Sequence, residues 1–154
     1  MITSLICQYS KIIVGDGESE KDLKHQCRSI RDNVIFTGYI SPEEVRYYYE
    51  LANAIVFPSL NEQSSYVMFE AMANKVPVIV TDIKAFDVLE NNYSCLKVPL
   101  KNKNQGNEKI LAQKILAQKI QLIINEKELR KNLAYNAYNI YFENFTAKKM
   151  FDTT

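Results

Sequence analysis

The stretch from residue 54 to residue 82 constrains the fold of this chain more than any other. Two short apolar runs, AIVF and VPVIV, flank a polar loop and a helical segment, which predicts the order strand, loop, helix, strand. Glu62 lies in the loop and Glu70 lies two turns along the helix, in an E-x7-E spacing. Because open α/β sheets bind ligands at the carboxyl ends of their strands, this pair of carboxylates is a candidate site.

The rest of the chain repeats the alternation of strands and helices. The apolar runs are continuous rather than alternating, which is typical of a parallel sheet covered on both faces. The pattern predicts an α/β fold, a Rossmann-like doubly wound parallel sheet of about five strands with a helical C-terminus. The predicted strands are residues 11–14, 34–37, 54–57, 76–80 and 95–98.

The predicted organisation is one domain over residues 1–154. Residues 1–10 are interpreted as the remnant of a first helix, residues 11–98 as the α/β core and residues 108–154 as C-terminal helices. Within the last part the pentapeptide KILAQ occurs twice in succession. A period of five spreads apolar positions around a helix, so this segment is either a sequence-tolerant surface helix or one that reaches a partner.

Composition excludes several classes of function. The net charge is +1, which favours neither nucleic acid nor an anionic membrane, and there is one histidine, so a histidine triad or multi-histidine metal site is not expected. The three cysteines show no C-x-x-C pair. Reduced thiols, the absence of a signal peptide and the absence of a long apolar segment indicate a cytoplasmic protein.

The two carboxylates allow more than one interpretation. They could act as general acid and base, or they could accept hydrogen bonds from sugar hydroxyls beside a helix start that favours a phosphate. Alternatively, Glu62 is a loop acid and Glu70 a solvated helix position. Glu70 lies within the apolar run 66–73, where a lone acid needs a partner.

Three ordered strings carry a resemblance to a known family. They are IIVGDGESEKDL, NVIFTGYISPEEVRYYYELANAIVFPSLNE and FEAMANKVPVIVTD. Together they resemble the C-terminal, donor-binding half of the retaining GT-B glycosyltransferases of the group 1, or family-four, type, from residue 11 to residue 98 and more loosely to the end. The resemblance implies transfer of a sugar from a nucleotide diphosphate sugar, UDP- or GDP-linked, to a glycan or similar acceptor, without a metal or other cofactor.

The resemblance also implies roles for individual residues. Glu62, with Ser64 and Ser65, matches the position that contacts the transferred sugar, and Glu70 matches the residue that binds the ribose diol. The remaining matches are Tyr66 and Val67 beside the diphosphate, Tyr39, Ile40 and Ser41 beside the nucleobase, and Gly15 and Gly17 in a turn at the mouth of the cleft.

The chain departs from the family pattern at several places. The usual glycine-rich stretch after the first acid is Gln63-Ser64-Ser65, and the strand and helix that carry an arginine and a lysine for the diphosphate have no counterpart. The acceptor-binding domain has none either, so the isolated chain is expected to be an inactive portion of an enzyme truncated at its N-terminus. The alternatives are a non-catalytic binding module and one subunit of a two-chain transferase. A separate acceptor-binding partner, an inner-membrane location through that partner and a homodimer are further expectations.

Overall fold

The strands and helices below come from a computed structural model that describes residues 3–6, 10–60, 66–100 and 106–145. The strands in these residues are β1 (Thr3–Ile6), β2 (Lys11–Val14), β3 (Val34–Gly38), β4 (Ala54–Phe57), β5 (Val78–Thr81) and β6 (Leu96–Val98). The helices are α1 (Glu20–Gln26), α2 (Pro42–Leu51), α3 (Tyr66–Ala73), α4 (Gly106–Asn125) and α5 (Lys127–Asn144). Short 3-10 helices occupy Arg28–Asn33 and Lys84–Phe86.

The strands form one sheet in the order β3-β2-β1-β4-β5-β6. β2 is parallel to β3, and β4, β5 and β6 are parallel to one another. β1 is antiparallel to both of its neighbours, β2 and β4. The predicted α/β fold with five parallel strands is therefore confirmed, and an additional strand separates these five into groups of two and three.

The interpretation of residues 1–10 as the remnant of a helix is wrong for Thr3–Ile6. Leu5 pairs with Ile12 on one side and with Ile55 on the other, so this strand lies in the middle of the sheet. The physical reason is tertiary: pairing with two neighbours satisfies the backbone of a segment whose own sequence has only a weak preference. Such pairing partners are not visible in the local pattern.

The sheet is covered on both faces, as its apolar runs predict. Successive side chains of β4 point to opposite faces. Ile55 and Phe57 belong to one core, with Met68 of α3, and Ala54 and Val56 belong to another. The second core is closed by α4 and α5, through residues such as Ile123 and Leu133.

The C-terminal region is helical in its described part, as predicted, but it divides at Glu126 into two helices. In the first KILAQ copy Ile110 and Leu111 are exposed, whereas Ile115 and Leu116 of the second copy pack against the core. The predicted spread of apolar positions around this helix is thus confirmed. Within the described residues no helix has the length and apolar character needed to cross a membrane.

Candidate functional site

A backbone hydrogen bond joins the carboxyl ends of β2 and β3. The amide of Gly15 donates a hydrogen bond to the carbonyl of Gly38 at 3.0 Å. Both residues have positive φ angles, 103° for Gly15 and 65° for Gly38, in the region where a side chain is strained. Glycine at these two positions therefore allows the strand ends to turn where they meet.

The start of α2 is fixed beside this turn by a capping box. The Ser41 amide donates to Glu44 Oε2 at 2.9 Å, and the Glu44 amide donates to Ser41 Oγ at 3.3 Å. With Pro42 at the first helical position, this is the kind of helix start that the sequence Ser-Pro-Glu-Glu favours. The cap sets the direction of α2, whose inner face carries Val45 and Tyr49 toward the core.

The orientation of α3 follows from its buried face. Met68, Ala71 and Met72 are almost completely buried in the core. Val67 and Glu70 are three residues apart and share another face of this helix, which turns toward α2. Glu70 is therefore exposed although it lies within an apolar run.

Two adjoining cavities open between these elements. The front cavity has a volume of about 230 Å³ and the side cavity about 360 Å³. Among the described residues, both are lined by Tyr39, Ile40, Val45, Tyr49 and Glu70. The front cavity is also lined by Val14, Gly15, Asp16, Tyr48 and Val67, and the side cavity by Pro42, Arg46 and Asn74.

Glu70 lies where the two cavities meet and is held by a neighbouring helix. Tyr49 Oη donates a hydrogen bond to Glu70 Oε2 at 2.7 Å. Tyr49 is only 5% exposed, and burial, this hydrogen bond and the Glu70 charge all raise the pKa of its phenol. The phenol is therefore a neutral donor at physiological pH, and the carboxylate remains an acceptor facing solvent.

The described lining residues differ in charge between the two cavities. The front cavity has two carboxylates, Asp16 and Glu70, and no lysine or arginine among its described residues. The side cavity adds one cation, Arg46. No group of three or more histidine, cysteine, aspartate or glutamate side chains that could hold a metal occurs in the described part of the chain. The expectation that no metal is needed stays a prediction.

The structure brings five of the predicted site residues to one place. Gly15, Tyr39, Ile40, Val67 and Glu70 all line the front cavity. They come from the ends of two parallel strands and from the first turns of α3. These elements meet at the edge of the sheet where the sequence predicts ligand binding.

The other predicted site residues lie elsewhere or are not described. Ser41 caps α2, and neither it nor Gly17 is among the residues that line the cavities. Tyr66 begins α3 and is 78% exposed. Glu62, Ser64 and Ser65 fall outside the described residues, so their assignment to the transferred sugar stays a prediction.

The sequence pattern does not identify Tyr49 as part of the site, because it is one of three consecutive tyrosines in a helical segment. Its side chain does pack in the core, but its hydroxyl reaches Glu70. A signal was present in principle. An acid in an apolar run and a phenol on the buried face of the preceding helix each need a polar partner.

Comparison with known proteins gives a family match over most of the chain. The model of the family described as "Glycosyl transferases group 1" matches residues 5–140. Alpha-monoglucosyldiacylglycerol synthase of Streptococcus pneumoniae is 39% identical over 70 residues, 44% of this chain and 16% of that protein. Alpha-D-kanosaminyltransferase of Streptomyces kanamyceticus is 27% identical over 134 residues, 85% of this chain and 32% of that protein. The chain thus spans at most about a third of these relatives.

Solved structures show the same fold. The Anabaena protein Alr3699/HepE in complex with UDP-glucose superposes with a TM-score of 0.72 at 20% identity, over 92% of this chain and 38% of that one. Identity at this level supports the shared Rossmann-like fold alone.

Proposed function

Because this chain belongs to the glycosyl transferases of group 1, we propose that it is the nucleotide-sugar-binding portion of a transferase that moves a sugar from a UDP- or GDP-linked donor to an acceptor. The transferred sugar keeps its anomeric configuration, and no metal takes part. The acceptor is a growing glycan or a similar molecule.

The observation that carries this proposal is the composition of the front cavity. Residues far apart in sequence converge there: Gly15 from the end of β2, Tyr39 and Ile40 from the end of β3, and Val67 and Glu70 from α3. The family resemblance assigns these same residues to the cleft turn, the nucleobase, the diphosphate and the ribose. The apolar walls and the anchored carboxylate of this cavity suit a base and a sugar diol.

Each ligand group has a matching protein group in this proposal. The ribose hydroxyls donate to the Glu70 carboxylate, since an ionised carboxylate is an acceptor only. The base lies against Tyr39 and Ile40, and the diphosphate lies at the start of α3, where backbone N–H groups of Tyr66 and Val67 are directed at an anion. Glu62, Ser64 and Ser65 hold the transferred sugar.

The printed descriptions of structural neighbours support a nucleotide ligand. The Anabaena HepE structure contains UDP-glucose, and the pneumococcal O-GlcNAc transferase GtfA structure contains UDP and GlcNAc. The GtfA structure superposes with a TM-score of 0.76 at 18% identity, over 92% of this chain and 27% of that one. We infer that the acceptor is held by a further domain or by a separate chain. A homodimer and a cytoplasmic location are parts of the same proposal.

One observation favours a second candidate, a non-catalytic nucleotide-sugar-binding module. The front cavity contains Asp16 and Glu70 and, among its described residues, no basic side chain. Charge that develops on a leaving diphosphate needs nearby positive groups for fast transfer. A module of this kind would bind the nucleotide but would not turn over a donor, even with the acceptor present.

Titration calorimetry with UDP, GDP and their sugars tests the proposal. Wild-type chain should bind one of the two nucleotides, and Glu70→Ala should weaken that binding at least about tenfold, because it removes charge-assisted hydrogen bonds. Glu143→Ala is the matched control, since Glu143 is an exposed acid on α5 that does not line either cavity. A folded chain that binds neither nucleotide at millimolar concentration would rule out donor binding by this chain.

A further inference from the structure

The hydrogen bond between Tyr49 and Glu70 joins two helices at the point shared by both cavities. Resting on the proposed function, we propose that Tyr49 is a positioning residue, which fixes the Glu70 carboxylate in the orientation that accepts both hydroxyls of a nucleotide ribose. Nothing in the family match assigns a role to this phenol.

The geometry supports positioning rather than direct contact. Tyr49 is 5% exposed, and its ring belongs to the core that includes Met68 and Met72 of α3. Its hydroxyl is the part that reaches the cavity wall, 2.7 Å from Glu70 Oε2. Glu70 by contrast is exposed, so without this contact its side chain could turn freely in solvent.

A second contact holds the backbone of the same residue. The Asn74 side-chain amide donates to the main-chain carbonyl of Glu70 at 2.8 Å. Glu70 is therefore held at its backbone by the residue that follows α3 and at its carboxylate from α2. Side-chain freedom that is already lost in the free protein is not lost again when a ligand binds, so this arrangement favours affinity.

The chemistry of a phenol suits the task better than that of a cation. One donor satisfies one lone pair of Oε2 and leaves Oε1 and the remaining lone pairs for the ligand. A lysine or arginine at the same place would neutralise the carboxylate and compete for both of its oxygens. Burial raises the pKa of the phenol, so it stays a donor across the neutral and mildly alkaline range.

The direct test compares Tyr49→Phe with wild type, using whichever ribonucleoside diphosphate binds and its 2′,3′-dideoxy analogue. Tyr49→Phe should weaken binding of the ribonucleotide about tenfold and should change binding of the dideoxy analogue less than about twofold. Tyr47→Phe makes the same change on the same helix at a residue that is 56% exposed and lines neither cavity, and it should leave both affinities unchanged.

A double-mutant cycle separates positioning from general structural damage. In the Glu70→Ala background, Tyr49→Phe should have no further effect on ribonucleotide affinity, because the group it positions is gone. All titrations are made below the melting transition of each variant, so that loss of fold does not mimic loss of affinity.

The outcomes distinguish this inference from the proposed function. Wild-type binding that falls in Glu70→Ala but persists in Tyr49→Phe would overturn the inference alone. Equal losses for the ribonucleotide and its dideoxy analogue, or additive losses in the cycle, would also overturn it. Failure of wild type to bind any nucleotide would remove the proposed function and the inference with it.

Discussion

The two halves of the sheet, β2 and β3 on one side of β1 and β4 to β6 on the other, differ in how deeply their residues are buried. Every residue of β4 and β5 is buried, whereas β2 has exposed and half-buried ends and β3 has one fully buried residue, Val34. α1, which follows β2, buries none of its residues completely. The candidate site involves both halves of the sheet, because Glu70 is on α3 beside the deeply buried strands and Tyr39 follows β3.

Different interactions position the two walls of the site. Packing in the core that contains Met68, Ala71 and Met72 places α3 and thereby Glu70. At the ends of β2 and β3, local hydrogen bonds position the opposite wall: the Gly15–Gly38 contact and the Ser41–Glu44 capping box. Core packing thus holds the α3 wall of the site, and the other wall, which also packs against the core through Val45 and Tyr49, depends in addition on a few hydrogen bonds.

A matched pair of isoleucine substitutions tests whether the two halves of the sheet differ in burial. Ile55→Ala in β4 removes a side chain that is 0% exposed and should lower the free energy of unfolding by ~2–5 kcal/mol. Ile35→Ala in β3 truncates a side chain that is 52% exposed and should lower it by less than about 1 kcal/mol. Urea denaturation measures both, and equal losses would contradict the proposed difference in burial.

The reactivity of two cysteines, one beside each half of the sheet, tests the same difference in burial. Cys95 precedes β6 and is 0% exposed, and burial raises the pKa of its thiol to about 12. Cys27, beyond the end of α1, is half-buried. In a Cys7→Ser variant at pH 8, a thiol reagent should label Cys27 at least about a hundredfold faster than Cys95, because Cys95 is buried and its raised pKa leaves little of it as the reactive thiolate. Equal rates in the native state, read by mass spectrometry, would mean that the β6 side opens easily.

The smallest expected effect concerns the capping box. Hydrogen bonds with the Ser41 backbone and side chain lower the pKa of Glu44. The carboxylate form is thus favoured in the folded state, so its contribution is complete above the ordinary value of 4.5 and is lost as pH falls through the lower folded pKa.

Denaturation at several pH values measures this contribution. Glu44→Gln should lower the midpoint at pH 7, and the deficit should shrink as pH falls below about 4. Glu43→Gln, in the same helical turn but outside the capping box, is the control. A deficit that is independent of pH would show that the ionised cap does not stabilise the start of α2.

Local signals explain which parts of the fold could be predicted from sequence. β4 was predicted with the boundaries that the structure has, and a helix was predicted between β4 and β5, because a continuous apolar run and a helical run carry their own pattern. α2 also carries a local signal, a serine cap followed by Pro42 at the first helical position. β1 could not be predicted, since its partners Ile12 and Ile55 are supplied by tertiary pairing.

The candidate site divides in the same way. The sequence spacing indicated Glu70, and family resemblance indicated Gly15, Ile40 and Val67, all of which line the front cavity. The partner of Glu70 is Tyr49, 21 positions earlier, and only the packing of α2 beside α3 reveals it. A pattern within one helix cannot report a contact between two.

We expect one nucleotide site to join the two halves of the sheet. This expectation is tested most directly by adding UDP, and separately GDP, to ¹⁵N-labelled chain and following its backbone amide signals. One of these nucleotides should shift the signals of Gly15 and Ile40 in one half of the site and of Val67 and Glu70 in the other, with a single dissociation constant. Shifts confined to α4 and α5, or no shifts at saturating nucleotide, would contradict it.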